Sequence, residues 1–252
     1  MTTNAIPCLK NSRGVEELAD MKLENGMLTG QFAGHPKLAE AYLADRKHPP
    51  TRFQAIKRVF DVSVALLLMP IWLTAVVLLS TLVRIDGGPG LFGHTRVGKN
   101  GHSFRCWKIR TMVPDAPDIL AQHLRKNPAA QAEWAQNHKL TCDPRITRIG
   151  HFLRRTSLDE IPQFMNVLRG EMSFVGPRPI VEEELEKYGV YSAGYLSLTP
   201  GITGLWQVSG RNDISYPERV RLDMDYLAQA TFMMDLRILA KTVGVVLDRT
   251  GK

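Results

Sequence analysis

Residues Val62 to Val83 read VSVALLLMPIWLTAVVLLSTLV, a run without one charged side chain and with a proline, Pro70, near its middle. At about 1.5 Å of rise per residue, an unbroken helix over this run would match the ~30 Å hydrocarbon core of a bilayer. Pro70 lacks a backbone donor and its ring crowds the preceding turn, so the helix is expected to bend or break there. Both flanks are basic, with Arg52, Lys57 and Arg58 before the run and Arg84, Arg96, Lys99, Arg105, Lys108 and Arg110 after it. Lys and Arg mark the cytoplasmic side of a membrane segment, so this symmetry gives no reason to place the two ends on opposite sides. A hydrophobic hairpin that enters and leaves from the cytoplasmic face, with Pro70 as the membrane break, satisfies both observations. A kinked span and a buried core helix are the alternatives.

The run divides the chain into three parts. Residues 1–50 form a weakly patterned cytosolic extension, expected to be flexible, with short helices foreseen at Val15–Leu23 and Leu38–Ala44. Residues 51–84 are the anchor, and 85–252 are long enough for one domain with its own core. The run starts too far from Met1 for a cleaved signal peptide. A net charge of +7 and a pI near 9.4 suit contact with anionic headgroups or phosphorylated substrates. No nucleic-acid motif accompanies that charge. Cys8, Cys106 and Cys142 are odd in number and lack C-x-x-C spacing, which reads as free thiols in a reducing compartment, with no disulfide and no cysteine-held metal.

After Asp86-Gly87-Gly88-Pro89-Gly90, a tight turn, the stretches Leu91–Val97 and Ser103–Ile109 flank Gly98-Lys99-Asn100-Gly101 and predict a β-hairpin. Helical patterns follow at Pro117–Lys126, Pro128–His138, Ile161–Leu168, Pro217–Ala228 and Met233–Leu247, with an arginine-rich loop before the third. In the last helix Phe232, Met233, Leu236, Leu239, Val243, Val246 and Leu247 make one broad apolar face, with Asp235, Arg237 and Lys241 off it; it faces either the core or the membrane interface. The fold class is α+β, mainly helical with a small sheet, comprising a re-entrant membrane helix and a cytosolic catalytic domain with interface helices.

The chemistry concentrates in Arg154-Arg155-Thr156-Ser157-Leu158-Asp159-Glu160-Ile161-Pro162-Gln163. Ser157 with Glu160 three positions on matches a capping box, a purely structural reading. Pro162 favours a later start, with Asp159 as cap. Either way both carboxylates lie at the positive end of a helix near arginines, a setting that keeps Asp159 ionised and offers N–H groups to phosphate. An ionised carboxylate beside an anion site is what nucleophilic attack on a phosphate ester requires.

From about Lys57 to Val246 the chain resembles the bacterial sugar transferases, the monotopic polyprenyl-phosphate hexose-1-phosphate transferases. The resemblance rests on KRVFDVSVALLLMPIW, FRCWKIRTM, DPRITRIGHFLRRTSLDEIPQFMNVLRGEMSFVGPRP, TPGITGLWQVSGR and LDMDYL, in that order. It implies transfer of a sugar 1-phosphate from a UDP-sugar to undecaprenyl phosphate, with release of UMP, as the first membrane step of exopolysaccharide synthesis. It also implies Mg²⁺, a proline-broken re-entrant anchor, and a place on the cytoplasmic face of the bacterial inner membrane among membrane lipid. By resemblance Asp159 is the nucleophile that becomes phospho-glycosylated, and Glu160 assists as a base or through the metal. Many family members carry Ser before the membrane proline; here Met69 stands there.

The remaining motifs take roles beside that resemblance. Lys108 and Arg110, after a strand, are candidates to neutralise the diphosphate, the alternative being a solvated hairpin. Arg154 is a candidate to hold the departing phosphate, and Arg155 reads as a surface or lipid contact. Pro177 and Pro179 stiffen the loop around Arg178, which resemblance makes a substrate-phosphate ligand. The loop Pro200–Gln207 with Gly210-Arg211 brings glycine backbone near a ligand, with Gln207 and Arg211 as substrate-binding candidates and Trp206 in the site, the interface or the core. Asp223 joins Asp159 and Glu160 as a candidate for metal or donor, whereas Asp225 is expected to be solvated. No nucleic acid is expected, and a homodimer is allowed. UDP-glucose or UDP-galactose is favoured as donor. The rival readings are a noncatalytic membrane-bound member of a polysaccharide assembly, and a basic peripheral protein on anionic lipid or nucleic acid.

Overall fold

The computed structural model describes residues 50–137, 140–210 and 214–247. The extension with its two foreseen helices, Arg211 and His138 lie outside the described residues. Helix α1 (Thr51–Leu67) and helix α2 (Met69–Val83) meet at Leu68 with a bend of 61°. Among the described residues no single helix is long and apolar enough to cross a membrane, although this bent pair meets the test of length and composition together. The break follows from Pro70, which stands in the first turn of α2 and has no N–H to return to the preceding turn. A carbonyl left over at the break is then satisfied from the side: the Trp72 indole donates to the buried Ala65 carbonyl at 2.9 Å. Trp72 is itself buried and packs on Phe164, with ring centroids 5.7 Å apart. A bulky side chain from the body of the protein therefore braces the bend.

The predicted hairpin is present with its predicted bounds. Strands β1 (Leu91–Val97) and β2 (Ser103–Ile109) pair antiparallel from Leu91↔Ile109 to Val97↔Ser103. Asn100 and Gly101 adopt left-handed φ of 57° and 79°, as a tight Asn-Gly reversal requires. Helices α3 (Ala116–Lys126) and α4 (Pro128–Asn137) follow. The arginine-rich stretch expected to be a loop is instead helix α5 (Arg148–Thr156). The Thr147 hydroxyl accepts the Gly150 N–H at 3.0 Å and starts it, and Leu153 on its inner face is fully buried. Helix α6 (Gln163–Arg169) ends at Gly170, whose φ of 82° supplies the left-handed cap.

A second two-stranded sheet was not foreseen: β3 (Ser173–Val175) and β4 (Gly201–Thr203) pair in parallel. A Cβ on Gly201 would collide with the Gly176 amide, so glycine here permits close backbone approach. Between them lie the short helices α7 (Glu182–Leu185) and α8 (Ser192–Leu196), and α9 (Tyr216–Gln229) and α10 (Phe232–Leu247) follow. The described chain is thus α+β and mainly helical, with two small sheets in place of one.

The main core joins Phe104, Val167, Phe174, Tyr195, Met224 and Ile238, and a second cluster of Trp72, Val76, Val83, Ile109 and Leu153 lies under α2. Polar ties fix α1 to this body. Arg58 donates to the Val167 and Leu168 carbonyls at the end of α6, at 2.5 and 2.9 Å, and Lys57 reaches Asp235 at 2.6 Å. Asp235, expected off the packed face of α10, is therefore buried, with the Tyr226 hydroxyl at 2.7 Å as its second partner. The apolar residues Met233, Leu236 and Val243 point outward instead, while Ile238 faces the core.

Candidate active site

The two adjacent carboxylates sit on a 3₁₀ turn, Leu158–Glu160, suspended between α5 and α6. Neither helix-cap expectation is met. Ser157 is the C-cap of α5, with φ of 56° and ψ of 17°, and Pro162 is the N-cap of α6. A serine in the left-handed region is uncommon, and here it reverses the chain sharply enough to turn Asp159 inward. The N–H groups of Glu160 and Ile161 bond back to Ser157 and Leu158 within the turn, so neither is open to an anion.

Two cationic side chains lie within ion-pair distance of the pair, and the charge of a third acts on it from farther off. Lys108 Nζ stands 2.7 Å from Glu160 Oε1 and 3.8 Å from Asp159 Oδ2. Arg178 Nη2 approaches the same Glu160 oxygen at 3.5 Å. Arg154, behind the pair, donates from Nε to the Thr111 hydroxyl at 2.9 Å, and its charge acts on Asp159. Asp159 is 8% exposed. Burial pushes its carboxyl above the usual carboxylate range, Lys108 pulls it down and Glu160 pushes it up, leaving it raised. The sequence setting suggested unopposed stabilisation of the anion; the desolvation that comes with enclosure outweighs it.

Asn166 sets the distance between the turn and Lys108. Fully buried, it accepts the Trp107 N–H at 3.1 Å and donates to the Arg105 carbonyl at 2.6 Å, as a neighbouring strand would. Helix α6 is thereby stitched to β2 one residue from Lys108. The loop bearing Arg178 is fixed equally firmly. The Gly176 and Gly201 amides bond to Thr203 and Pro177 carbonyls at 2.9 and 2.8 Å, and Val97 bridges Ile180. The buried Tyr195 hydroxyl accepts the Ile180 N–H at 3.2 Å, donates to Val97 O at 3.0 Å and lies 3.4 Å from Arg178 O.

Other candidates stand elsewhere. Arg110 is buried and donates to the carbonyls of Pro89, Met112, Val83 and Gly87. It ties the end of α2 and the following turn to β2, so its charge is not offered to a substrate. Gln207 donates to Ile202 O at 2.9 Å and supports β4 from behind. Trp206 is in the core, under the Arg219 guanidinium. Asp223 is buried against the Tyr188 hydroxyl at 2.7 Å, where burial pushes its carboxyl up to about 7. Asp225 pairs with Arg221 at 2.8 Å, so it is not merely solvated. Among the described residues no third Asp, Glu, His or Cys joins Asp159 and Glu160 into a metal-ligand cluster.

Sequence reasoning missed Arg96, Cys106 and Gln163, which line the cavity with Lys108, Glu160 and Arg178. Strand alternation was the available signal: Cys106 and Lys108 lie two apart on β2, and Arg96 is opposite Phe104 on the same face.

The profile of the family described as Bacterial sugar transferase matches residues 52–249. The chain belongs to that family. It is 52% identical over 196 residues to a UDP-galactose-lipid carrier transferase of Erwinia amylovora, covering 78% of this chain and 41% of the relative. It is 48% identical to the undecaprenyl-phosphate galactose phosphotransferase of Salmonella typhimurium, with the same coverage. It is 50% identical to the exopolysaccharide production protein ExoY of Rhizobium meliloti, covering 75% of this chain and 84% of that protein. The chain thus spans about two fifths of the length of the first two relatives and most of the third.

Proposed function

We propose that this chain is a phosphoglycosyl transferase that moves a sugar 1-phosphate from a UDP-sugar to undecaprenyl phosphate, through a covalent intermediate on Asp159. Family membership supports the reaction class. The observation that carries the residue assignment is a buried carboxylate with its pKa raised, facing Lys108 and backed by Arg154. Partial desolvation makes such a carboxylate a stronger nucleophile than one in water, while the cations favour its ionised form.

In the first displacement an Asp159 carboxylate oxygen bonds to the β-phosphorus, the bond to the bridging oxygen breaks, and UMP leaves with that electron pair. In the second, an oxygen of undecaprenyl phosphate attacks the same phosphorus and Asp159 departs as carboxylate. Lys108 and Arg178 supply positive charge where phosphate charge develops. Glu160 holds Lys108 against the site at 2.7 Å and pairs more loosely with Arg178 at 3.5 Å. Asp159 and Glu160 together with the donor's phosphates make a hard oxygen set that suits Mg²⁺, which when bound would neutralise charge on the diphosphate. Asp223 is not part of that set.

The membrane assignment is supported by the surface of the bent pair. Leu66, Leu67, Ile71, Val77 and Leu78 are all exposed, forming an apolar surface of the kind that soluble monomers rarely carry. With basic residues on both flanks, the pair is read as a re-entrant hairpin in the inner leaflet, with the catalytic part in the cytoplasm. The names of two relatives favour galactose as the transferred sugar, with glucose as the alternative.

The test is UMP release by the full chain in detergent with Mg²⁺. Release from UDP-galactose or UDP-glucose that continues only when undecaprenyl phosphate is added supports the reading. Absence of release from every UDP-hexose with the lipid present contradicts it.

A further inference from the structure

Arg96 has no place in the reaction described above, yet it faces the same cavity as Lys108 and Arg178. It stands opposite Phe104 in the hairpin, so it shares a face with Cys106 and Lys108 and lies about 13 Å along the strands from the lysine. The Arg178 loop covers that interval. Its backbone is docked on Val97, next to Arg96, through Tyr195 and the Val97–Ile180 bridge, while its guanidinium reaches Glu160.

The quality of the ion pairs separates Arg96 and Arg178 from the structural arginines. Arg145 holds Asp143 through two bonds of 2.8 and 2.6 Å, and Arg58 spends its donors on carbonyls at 2.5 and 2.9 Å. Arg96 meets Glu184 only at 3.5 Å, and Arg178 meets Glu160 at the same distance. A settled charge-assisted bond is about 2.7–2.9 Å, so both guanidinium groups are loosely held. Two like charges also share one partly dry cavity: burial first, and then the Arg178 charge, push the Arg96 pKa down. An anion between them would relieve both penalties. Glu184 does not need Arg96, because the same oxygen accepts the Val181 N–H at 3.2 Å.

We propose that Arg96 is a phosphate ligand for the donor nucleotide, exchanging Glu184 for the diphosphate on binding and forming with Arg178 the wall opposite the Asp159–Glu160 turn. This rests on the reading of the donor as a UDP-sugar. Glu184 is then a competitor for Arg96, occupying the guanidinium until phosphate arrives.

The two partners of one ion pair therefore have opposite effects on nucleotide binding. The probe is UDP with Mg²⁺, titrated calorimetrically into the full chain in detergent, with the melting temperature of each variant recorded. Arg96→Gln is expected to weaken UDP binding about tenfold, the scale of one lost charge-assisted contact. Arg96→Lys, which keeps charge without the fork, should fall between it and the wild type. Glu184→Gln still accepts the Val181 N–H but no longer attracts the guanidinium, and should bind UDP several-fold more tightly. If the pair is only structural, both variants lower the melting temperature and neither changes UDP affinity, or both weaken it alike; either result overturns the proposal. Lys108→Ala separates this from the larger reading. UDP binding weakened by Lys108→Ala and unmoved by Arg96→Gln rejects Arg96 alone, whereas a wild-type chain that does not bind UDP rejects both.

Discussion

Replacing Lys108 by Met removes the largest attractive charge acting on Asp159 while preserving the length of the side chain. At 3.8 Å and an effective dielectric of about 20, a pair of unit charges is worth about 4 kcal/mol, and in bulk water about 1. Both groups are mostly buried but open on one side, so a middle figure of about 2 kcal/mol is apt, equivalent to roughly 1.5 pKa units. The sign is fixed: Asp159 already has a raised carboxyl, and losing the cation raises it further. The proposed attack by Asp159 requires the ionised form, so activity is expected to be lost as pH falls through that pKa. The acid limb of the kcat/KM–pH profile should therefore move upward by about one to two units in Lys108→Met. Because Glu160 is coupled to Asp159, the limb reports the carboxylate pair rather than one member. The plateau should also fall, through loss of a phosphate contact, but that effect does not depend on pH. Lys108→Arg keeps the charge and should keep the limb near its wild-type position. A limb that coincides in wild type, Lys108→Arg and Lys108→Met, with only the plateau lowered, would refute the electrostatic coupling of Lys108 to the nucleophile.

Two further outcomes test the scaffold. Tyr195→Phe removes the hydroxyl that joins Ile180, Val97 and Arg178 without changing shape, so kcat/KM should drop about tenfold; combined with Arg178→Ala it should cost little more than Arg178→Ala alone, and full additivity would mean that Tyr195 does not act through Arg178. Single cysteines at Thr51 and Asp86, in a background without the native thiols, should both resist an impermeant thiol reagent in intact cells; labelling of either would show a true span and reject the hairpin.

Local pattern made the hairpin, the break at Pro70 and most long helices legible, because Asn100-Gly101 and Pro70 fix backbone geometry by themselves. What escaped depended on partners distant in sequence. Helix α5 looked like a loop because arginines dominate it; Thr147 as cap and the spacing of Ile149 and Leu153 were the overlooked signals. The β3–β4 pair has three residues per strand and forms across a long connection, beyond any short-range rule. Arg110 looked like a phosphate ligand because charge is visible in sequence and reach is not: its carbonyl partners include Val83 and Gly87, more than twenty residues earlier. Asp235 was misjudged for the same reason, since Lys57, which makes its burial tolerable, lies 178 positions away. In the site, the Asp159–Glu160 turn and the Arg178 loop were readable as motifs. Asn166, Tyr195 and Arg96 were not, because each matters only through what folding places beside it.

The proposed covalent role of Asp159 carries the rest of the mechanism, and one measurement addresses it directly. The full chain is incubated with UDP-galactose or UDP-glucose and Mg²⁺, without undecaprenyl phosphate, then quenched, digested and analysed by mass spectrometry. A hexose-phosphate adduct is expected on the peptide containing Asp159, absent in Asp159→Asn and discharged when undecaprenyl phosphate is added. UMP release that requires the lipid in every turnover, with no adduct under any quench and a ternary-complex kinetic pattern, would contradict the covalent route.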